Sequence, residues 1–156
     1  MIMAENRGKE FEQVIRDSFK KVSNTSVVRL PDPVMGYLGY ANICDFIVYH
    51  YPNQYFIECK SVHGNTLPLR NITDNQWKGL TEMSKIFGVR AGVICWYIDR
   101  DETVYYPIVY LLYLKSTGAK SCHSGIRDEA LGCFKLQGKK KRVFFDYDML
   151  DFFERA

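Results

Sequence analysis

The 156-residue chain is 47% hydrophobic and 15% aromatic, enough apolar material for one buried core, and a single domain spanning residues 1–156 is expected. Its 21 Lys and Arg against 18 Asp and Glu leave a net charge of +3, too mild to identify a polyanion partner, so local clusters must carry any such reading. No apolar run approaches the roughly 20 residues of a membrane span, and the opening MIMAENRGKEFEQ has no apolar segment of signal-peptide type, so a soluble, cytoplasmic protein is expected.

Residues 6–21 place Phe11, Val14, Ile15 and Phe19 on one stripe at helical spacing, which predicts an amphipathic helix. Val27, Val28 and Leu30 predict a short strand, and PDPVMGYLGYAN, with its prolines and glycines, reads as loop. Two apolar runs around YPNQ then read as a β-hairpin. Thr73 is a plausible N-cap for a helix over DNQWKGLTEMSKIF that stops at Gly88, and AGVICWYID reads as a buried strand. Tyr105 to Leu114 fits strand or helix, since Pro107 suits a helix's first turn. RVFFDY resembles an edge strand, and Asp148 opens a final helix. The order αβββαβ followed by a mixed tail implies an α/β fold, a mixed central β-sheet flanked by helices. The cysteines, Cys44, Cys59, Cys95, Cys122 and Cys133, lack CxxC spacing, which favours reduced thiols.

The hairpin carries the chemistry. Asp45, Glu58 and Lys60 stand in otherwise apolar strands, where an unpaired charge is costly to bury. They form either a salt bridge at a sheet end or a cation site. A turn centred between Pro52 and Asn53 sets Asp45 opposite Lys60 and Ile47 opposite Glu58, all on one face, with Phe46, Val48, Ile57 and Cys59 on the other. Asp45 and Glu58 then lie on a diagonal of roughly 7–8 Å, within reach of one cation. Two hard oxygen ligands, with the Cys59 backbone carbonyl as a third, suit Mg²⁺ or Mn²⁺ and leave positions for water and a phosphate oxygen. Lys60 is placed to orient a water or to stabilise charge on that phosphate. Pro31-Asp32 offers a competing aspartate, but from a loop with no register to Glu58. Read by itself, Glu12 is a helix-surface glutamate that pairs with Arg16 at i+4. Read by itself, Gln76 is an ordinary solvated helix position.

This Asp-x12-Glu-x-Lys pattern resembles the active site of the PD-(D/E)xK nuclease superfamily. NRGKEFE at 6–12, CDFIV at 44–48, FIECKSV at 56–62 and TLPLRNITDNQWKGL at 66–80 resemble, in order and spacing, the RecU-type Holliday junction resolvases. GAKS at 118–121 and a late basic segment before DYDML fit more loosely. The resemblance implies an Mg²⁺-dependent homodimer, with Mn²⁺ as substitute, that cuts four-way DNA junctions by paired incisions during recombination and engages a RecA-type recombinase. It implies Asp45 and Glu58 as metal ligands, Lys60 as the catalytic lysine, Glu12 and Gln76 as supporting groups, and Thr66 near the scissile phosphate. Arg7 and Arg70 are implied phosphate contacts. Lys120 and the run Lys139, Lys140, Lys141 and Arg142 complete the expected DNA surface, the run having a solvated loop as its plain alternative. Only PDPVMGYLGYAN separates Leu30 from Ile43, so either the stalk of longer family members is reduced or its junction-threading role passes to other loops, as would suit a compact phage-encoded or accessory member.

Other readings are a repair or restriction endonuclease of the same superfamily, and a non-catalytic DNA-binding recombination regulator, whose signature would be a lost acidic ligand. Zinc at Cys122, His123 and Cys133 lacks paired spacing, and a Cys59 nucleophile lacks a histidine base. For a dimer surface, Tyr37, Leu38 and Tyr40, or Tyr110, Leu111 and Tyr113, are candidates unless they close the core.

Overall fold

The computed structural model describes residues 2–31, 42–125 and 128–156, so Asp32, Tyr37, Leu38, Tyr40 and Arg127 lie outside the described residues. The chain opens with α1 (Ile2–Lys20), which buries Phe11, Ile15 and Phe19 from its apolar stripe, followed by β1 (Thr25–Arg29). The predicted hairpin is β2 (Phe46–His50) and β3 (Asn53–Val62). A short β4 (Thr66–Pro68) and one tight turn at Leu69–Asn71 lead to α2 (Asp74–Ser84), which returns the chain to β5 (Val89–Tyr97). β5 runs parallel to β3, while the β1–β2, β2–β3 and β5–β6 pairs are antiparallel, so the sheet is mixed.

Tyr105 to Leu114 turns out to be both strand and helix. β6 (Glu102–Pro107) ends where α3 (Ile108–Ser116) begins, with Pro107 at the N-cap position, where its missing N–H costs no helical hydrogen bond. β7 (Ser121–His123) pairs with β4, and β8 (Phe134–Lys135) closes the six-stranded sheet in the order β1-β2-β3-β5-β6-β8. The expected edge strand in RVFFDY is instead half of a separate ribbon. β9 (Gly138–Lys140) pairs with β10 (Phe145–Tyr147), and the chain ends in α4 (Met149–Arg155), capped by the Asp148 carboxylate. The edge position went to β8 because Phe134 packs on Tyr105.

The sheet separates two apolar layers. α1 and α4 cover one face with Phe11, Ile15, Phe19, Met149 and Phe152, over Phe46, Val48 and Ile57. α2 and α3 cover the other with Trp77, Leu80, Ile108 and Leu111, over Phe56, Val93 and Cys95. Tyr110 and Leu111 are buried within this layer and close the core, whereas Tyr113 is exposed. No helix among the described residues is long and apolar enough to cross a membrane.

Candidate active site

The hairpin closes more tightly than the sequence suggested. Tyr51 and Pro52 form its two-residue turn, so Ile47 faces Phe56 rather than Glu58, and Phe46 faces Ile57. The pairing ends at Phe46, and Asp45 just before it is bonded to Ile57 rather than placed opposite Lys60. The slip is by two residues along the partner strand, so the face of every side chain is preserved. The two carboxyl groups share a hydrogen bond and so stand closer than the expected diagonal.

Asp45 is held from both sides. Its backbone N–H donates to Ile57 O at 3.0 Å and its carbonyl accepts from Leu30 N at 2.9 Å. Its Oδ2 accepts from Cys59 N at 2.7 Å, continuing the pairing past the end of β2 with a side chain. The N–H and C=O of a strand residue leave by the same edge, so the Cys59 carbonyl points to the Asp45 side as well.

Glu58 is 4% exposed. Its Oε1 accepts from Lys60 Nζ at 2.9 Å and from Gln76 Nε2 at 2.7 Å, and it shares a hydrogen bond with the Asp45 carboxyl. Gln76 closes the circle. Its Oε1 accepts from Thr73 N at 3.0 Å and from Lys60 Nζ at 3.3 Å, while its own N–H donates to Thr73 Oγ1 at 3.2 Å. One glutamine thus completes the capping box of α2 and positions the Glu58 carboxylate.

Two residues absent from the sequence reading fix α2 against the segment entering Asp45. Asn75 Nδ2 donates to Asn42 O at 3.1 Å. Gly79 lies so close to Ile43 that a Cβ there would come within 2.2 Å of Ile43 Cγ2. Neither contact has a local sequence signal, because both join residues more than thirty positions apart.

Burial and mutual repulsion dominate the electrostatics. Asp45 is pushed up to about 8, first by loss of solvent and then by the neighbouring Glu58 charge, against the Cys59 N–H. Burial also raises Glu58, with the Lys60 ammonium opposing it. The half-buried Cys59 thiol is raised well above its ordinary range by loss of solvent and by the carboxylates beside it, which disfavours a thiolate nucleophile. All five cysteines are free.

Glu12 stands nearby but is otherwise engaged. Its Oε1 accepts from Arg29 Nε at 2.7 Å, not from Arg16, whose guanidinium instead contacts Gln13. Its charge still reaches Asp45. Among the described residues, no group of three or more His, Cys, Asp and Glu converges as a closed metal cluster, which also leaves Cys122, His123 and Cys133 without support as a zinc site.

The donor set nonetheless fits a hard divalent cation. Two carboxylates share a site with one ammonium, and their raised proton affinity marks an uncompensated negative charge that a cation relieves. Mg²⁺ needs only one or two carboxylates because it keeps several waters, so a closed protein cage is not required.

The expected DNA contacts are dispersed. Arg7 is exposed on α1, Thr66 pairs with His123 across β4 and β7, and Arg70 follows β4. The Lys120 carbonyl accepts from Leu69 N at 2.9 Å. Lys139 and Lys140 lie in β9, and Lys141 and Arg142 turn the ribbon, whose ends close through Lys141 N donating to Phe144 O at 2.8 Å. Lys140 pairs with Asp101 at 2.5 Å, and its ammonium sits 4.8 Å from the centre of the Phe145 ring. The ribbon connects to the site through packing: Phe144 contacts Trp96, which stacks on Phe11 and aligns with Ser61, next to Lys60.

No protein-family model matches the sequence, and no curated protein matches it significantly. Among solved structures the chain is similar to Hjc, a Holliday junction resolvase from the archaeal hyperthermophile Archaeoglobus fulgidus. That similarity has a TM-score of 0.49 and 18% identity, and covers 65% of this chain and 78% of that one.

Proposed function

We propose that the chain is a metal-dependent endodeoxyribonuclease of PD-(D/E)xK chemistry that resolves four-way DNA junctions by paired incisions, working as a homodimer as its RecU-like motifs imply. The observation that carries the reading is the buried Asp45–Glu58 pair with Lys60 and Gln76 closed around it. A stability-driven core would gain more from apolar residues of similar volume than from charges that must be desolvated.

Asp45, Glu58 and the Cys59 carbonyl would hold Mg²⁺, with Mn²⁺ as substitute. Bound there, the ion supplies Lewis-acid polarisation of a phosphate oxygen and lowers the pKa of a water. The chain supplies the rest. Glu58 and Gln76 hold the Lys60 ammonium in place, and its remaining N–H is free to point at the incoming water or at the oxygen on which charge accumulates. The Cys59 N–H fixes the rotamer of Asp45, so little reorganisation is needed at the moment of reaction. Arg29 keeps Glu12 oriented at the rim, where its carboxylate is positioned to act through water.

The decisive experiment incubates the pure protein with labelled four-way, Y-shaped, linear and single-stranded DNA, in Mg²⁺ and in EDTA. Mg²⁺-dependent cleavage favouring the four-way junction is expected. Asp45→Asn, Glu58→Ala and Lys60→Ala should abolish it while junction binding persists, since affinity comes from dispersed phosphate contacts. Asp32→Asn should cut normally. A Glu58→Ala protein cutting at the wild-type rate would remove the assignment, and preference for linear duplex would favour a repair or restriction enzyme.

A further inference from the structure

We propose that a groove between the start of α2 and the end of α3 holds the DNA strand flanking the scissile phosphate, with Arg70, Lys115 and Lys120 on its backbone. This deepens the nuclease reading and rests on it. The groove has a volume of about 630 Å³ and is walled by Thr73, Asp74 and Trp77 from α2, together with those three cations. That is nucleotide-sized, larger than an isolated phosphate requires.

The fold brings the cations together from three segments. Pairing of Pro68 with Ser121, and the hydrogen bond from Leu69 N to Lys120 O, set Arg70 and Lys120 side by side. Lys115, on the last turn of α3, places its ammonium 4.6 Å from the centre of the Trp77 ring. Trp77 is buried among apolar neighbours and gives the groove a rigid floor.

Among the described residues, the cations of this groove are also without carboxylate partners of their own. Lys21, Lys60, Lys85 and Lys140 each have a carboxylate partner, whereas Arg70, Lys115 and Lys120 form no ion pair among the described residues. Among the described residues Asp74 is the single carboxylate in the lining, so three cations and one anion face the cleft. Such an excess in a concave surface attracts a polyanion strongly.

Location ties the groove to the chemistry. Thr73 lines it and is bonded to Gln76, whose amide holds Glu58 at 2.7 Å. A strand with one phosphate at Asp45 and Glu58 therefore continues over Thr73 into the groove. Phosphate contacts of this kind set register and carry no base information.

The test measures binding of a labelled four-way junction and a linear duplex in EDTA across a salt series. Lys115→Ala and Lys120→Ala should each weaken both DNAs by about tenfold at moderate salt and reduce the slope of log affinity against log salt by about one. The chain has two tryptophans, so in a Trp96→Phe background Trp77 reports alone, and saturating DNA should change its emission. Should that background fold poorly, the salt slopes decide by themselves. In Mg²⁺, cleavage lost at limiting protein should be recovered at saturating protein. Unchanged affinity and slope in both lysine variants, with Trp77 emission indifferent to DNA, would overturn the groove. Groove-dependent binding without any cleavage would instead remove the nuclease reading and leave the groove as a DNA site.

Discussion

Asp45→Asn should stabilise the metal-free protein, and more strongly at alkaline than at acid pH. The Asp45 carboxyl is raised from an ordinary 3.8 to about 8 by burial and by Glu58, so the folded state holds a proton that the unfolded chain releases. The associated stability is fully present below pH 3.8, falls as pH rises, and is lost above about 8. At about 1.4 kcal/mol for each tenfold change, charging the site costs on the order of 5 kcal/mol, shared with the coupled Glu58. Asn keeps the shape, accepts from Cys59 N–H as Asp45 does, and can donate to Glu58 as the protonated acid would. In EDTA at pH 9 the variant should gain about 3 kcal/mol, or on the order of 10 °C in Tm, with a smaller gain at pH 5. Thermal unfolding at the two pH values, followed by Mg²⁺ titration, checks this. Mg²⁺ should raise the Tm of the wild type and leave Asp45→Asn nearly unmoved. A variant less stable than wild type at pH 9, with Mg²⁺ shifting both proteins equally, would refute the claim that two uncompensated carboxylates meet here.

Gln76→Ala should cost about 1 kcal/mol in urea unfolding from the broken capping box, together with a large loss of cleavage rate because Glu58 and Lys60 lose their shared partner; full activity would show that Gln76 only caps the helix. Neutralising Lys139, Lys140 and Lys141 together should lower the salt slope of DNA binding by about two rather than three, because Lys140 is already paired with Asp101; an unchanged slope would assign the ribbon to a solvated surface role. Light scattering should give twice the 18.2 kDa chain mass, and a plasmid bearing an extruded cruciform should become linear with little nicked circle. A monomeric mass with persistent nicked product would reject paired incision.

The site was more legible than the sheet around it. Side-chain parity in a hairpin survives any slip by two, so the convergence of Asp45, Glu58 and Lys60 on one face could be read before the turn was known, although the opposing pair could not. Thr73 announced the start of α2 because its cap acts on residues three positions away. Arg29, Asn75 and Gly79 were illegible for the opposite reason: each acts on a partner far along the chain, and only the packed layers bring them together. β8 was missed because two residues, Phe134 and Lys135, carry too little periodicity to distinguish a strand from a loop. The ribbon was misplaced because alternation in RVFFDY identifies a strand without naming its partner.

The first turn of α2 therefore joins the proposed catalytic and DNA-positioning roles. Thr73 caps the helix, forms part of the groove wall and anchors Gln76, while Gln76 holds Glu58 and Lys60. A strand settling over Thr73 presses on the residue that orients the catalytic carboxylate, so correct seating and a correctly aimed Lys60 reinforce one another. Binding energy gathered at Arg70, Lys115 and Lys120 can thus serve alignment at the reacting phosphate. A rigid helix start transmits that alignment better than a loop would, because the Thr73, Gln76 and Trp77 N–H groups are already committed to fixed partners.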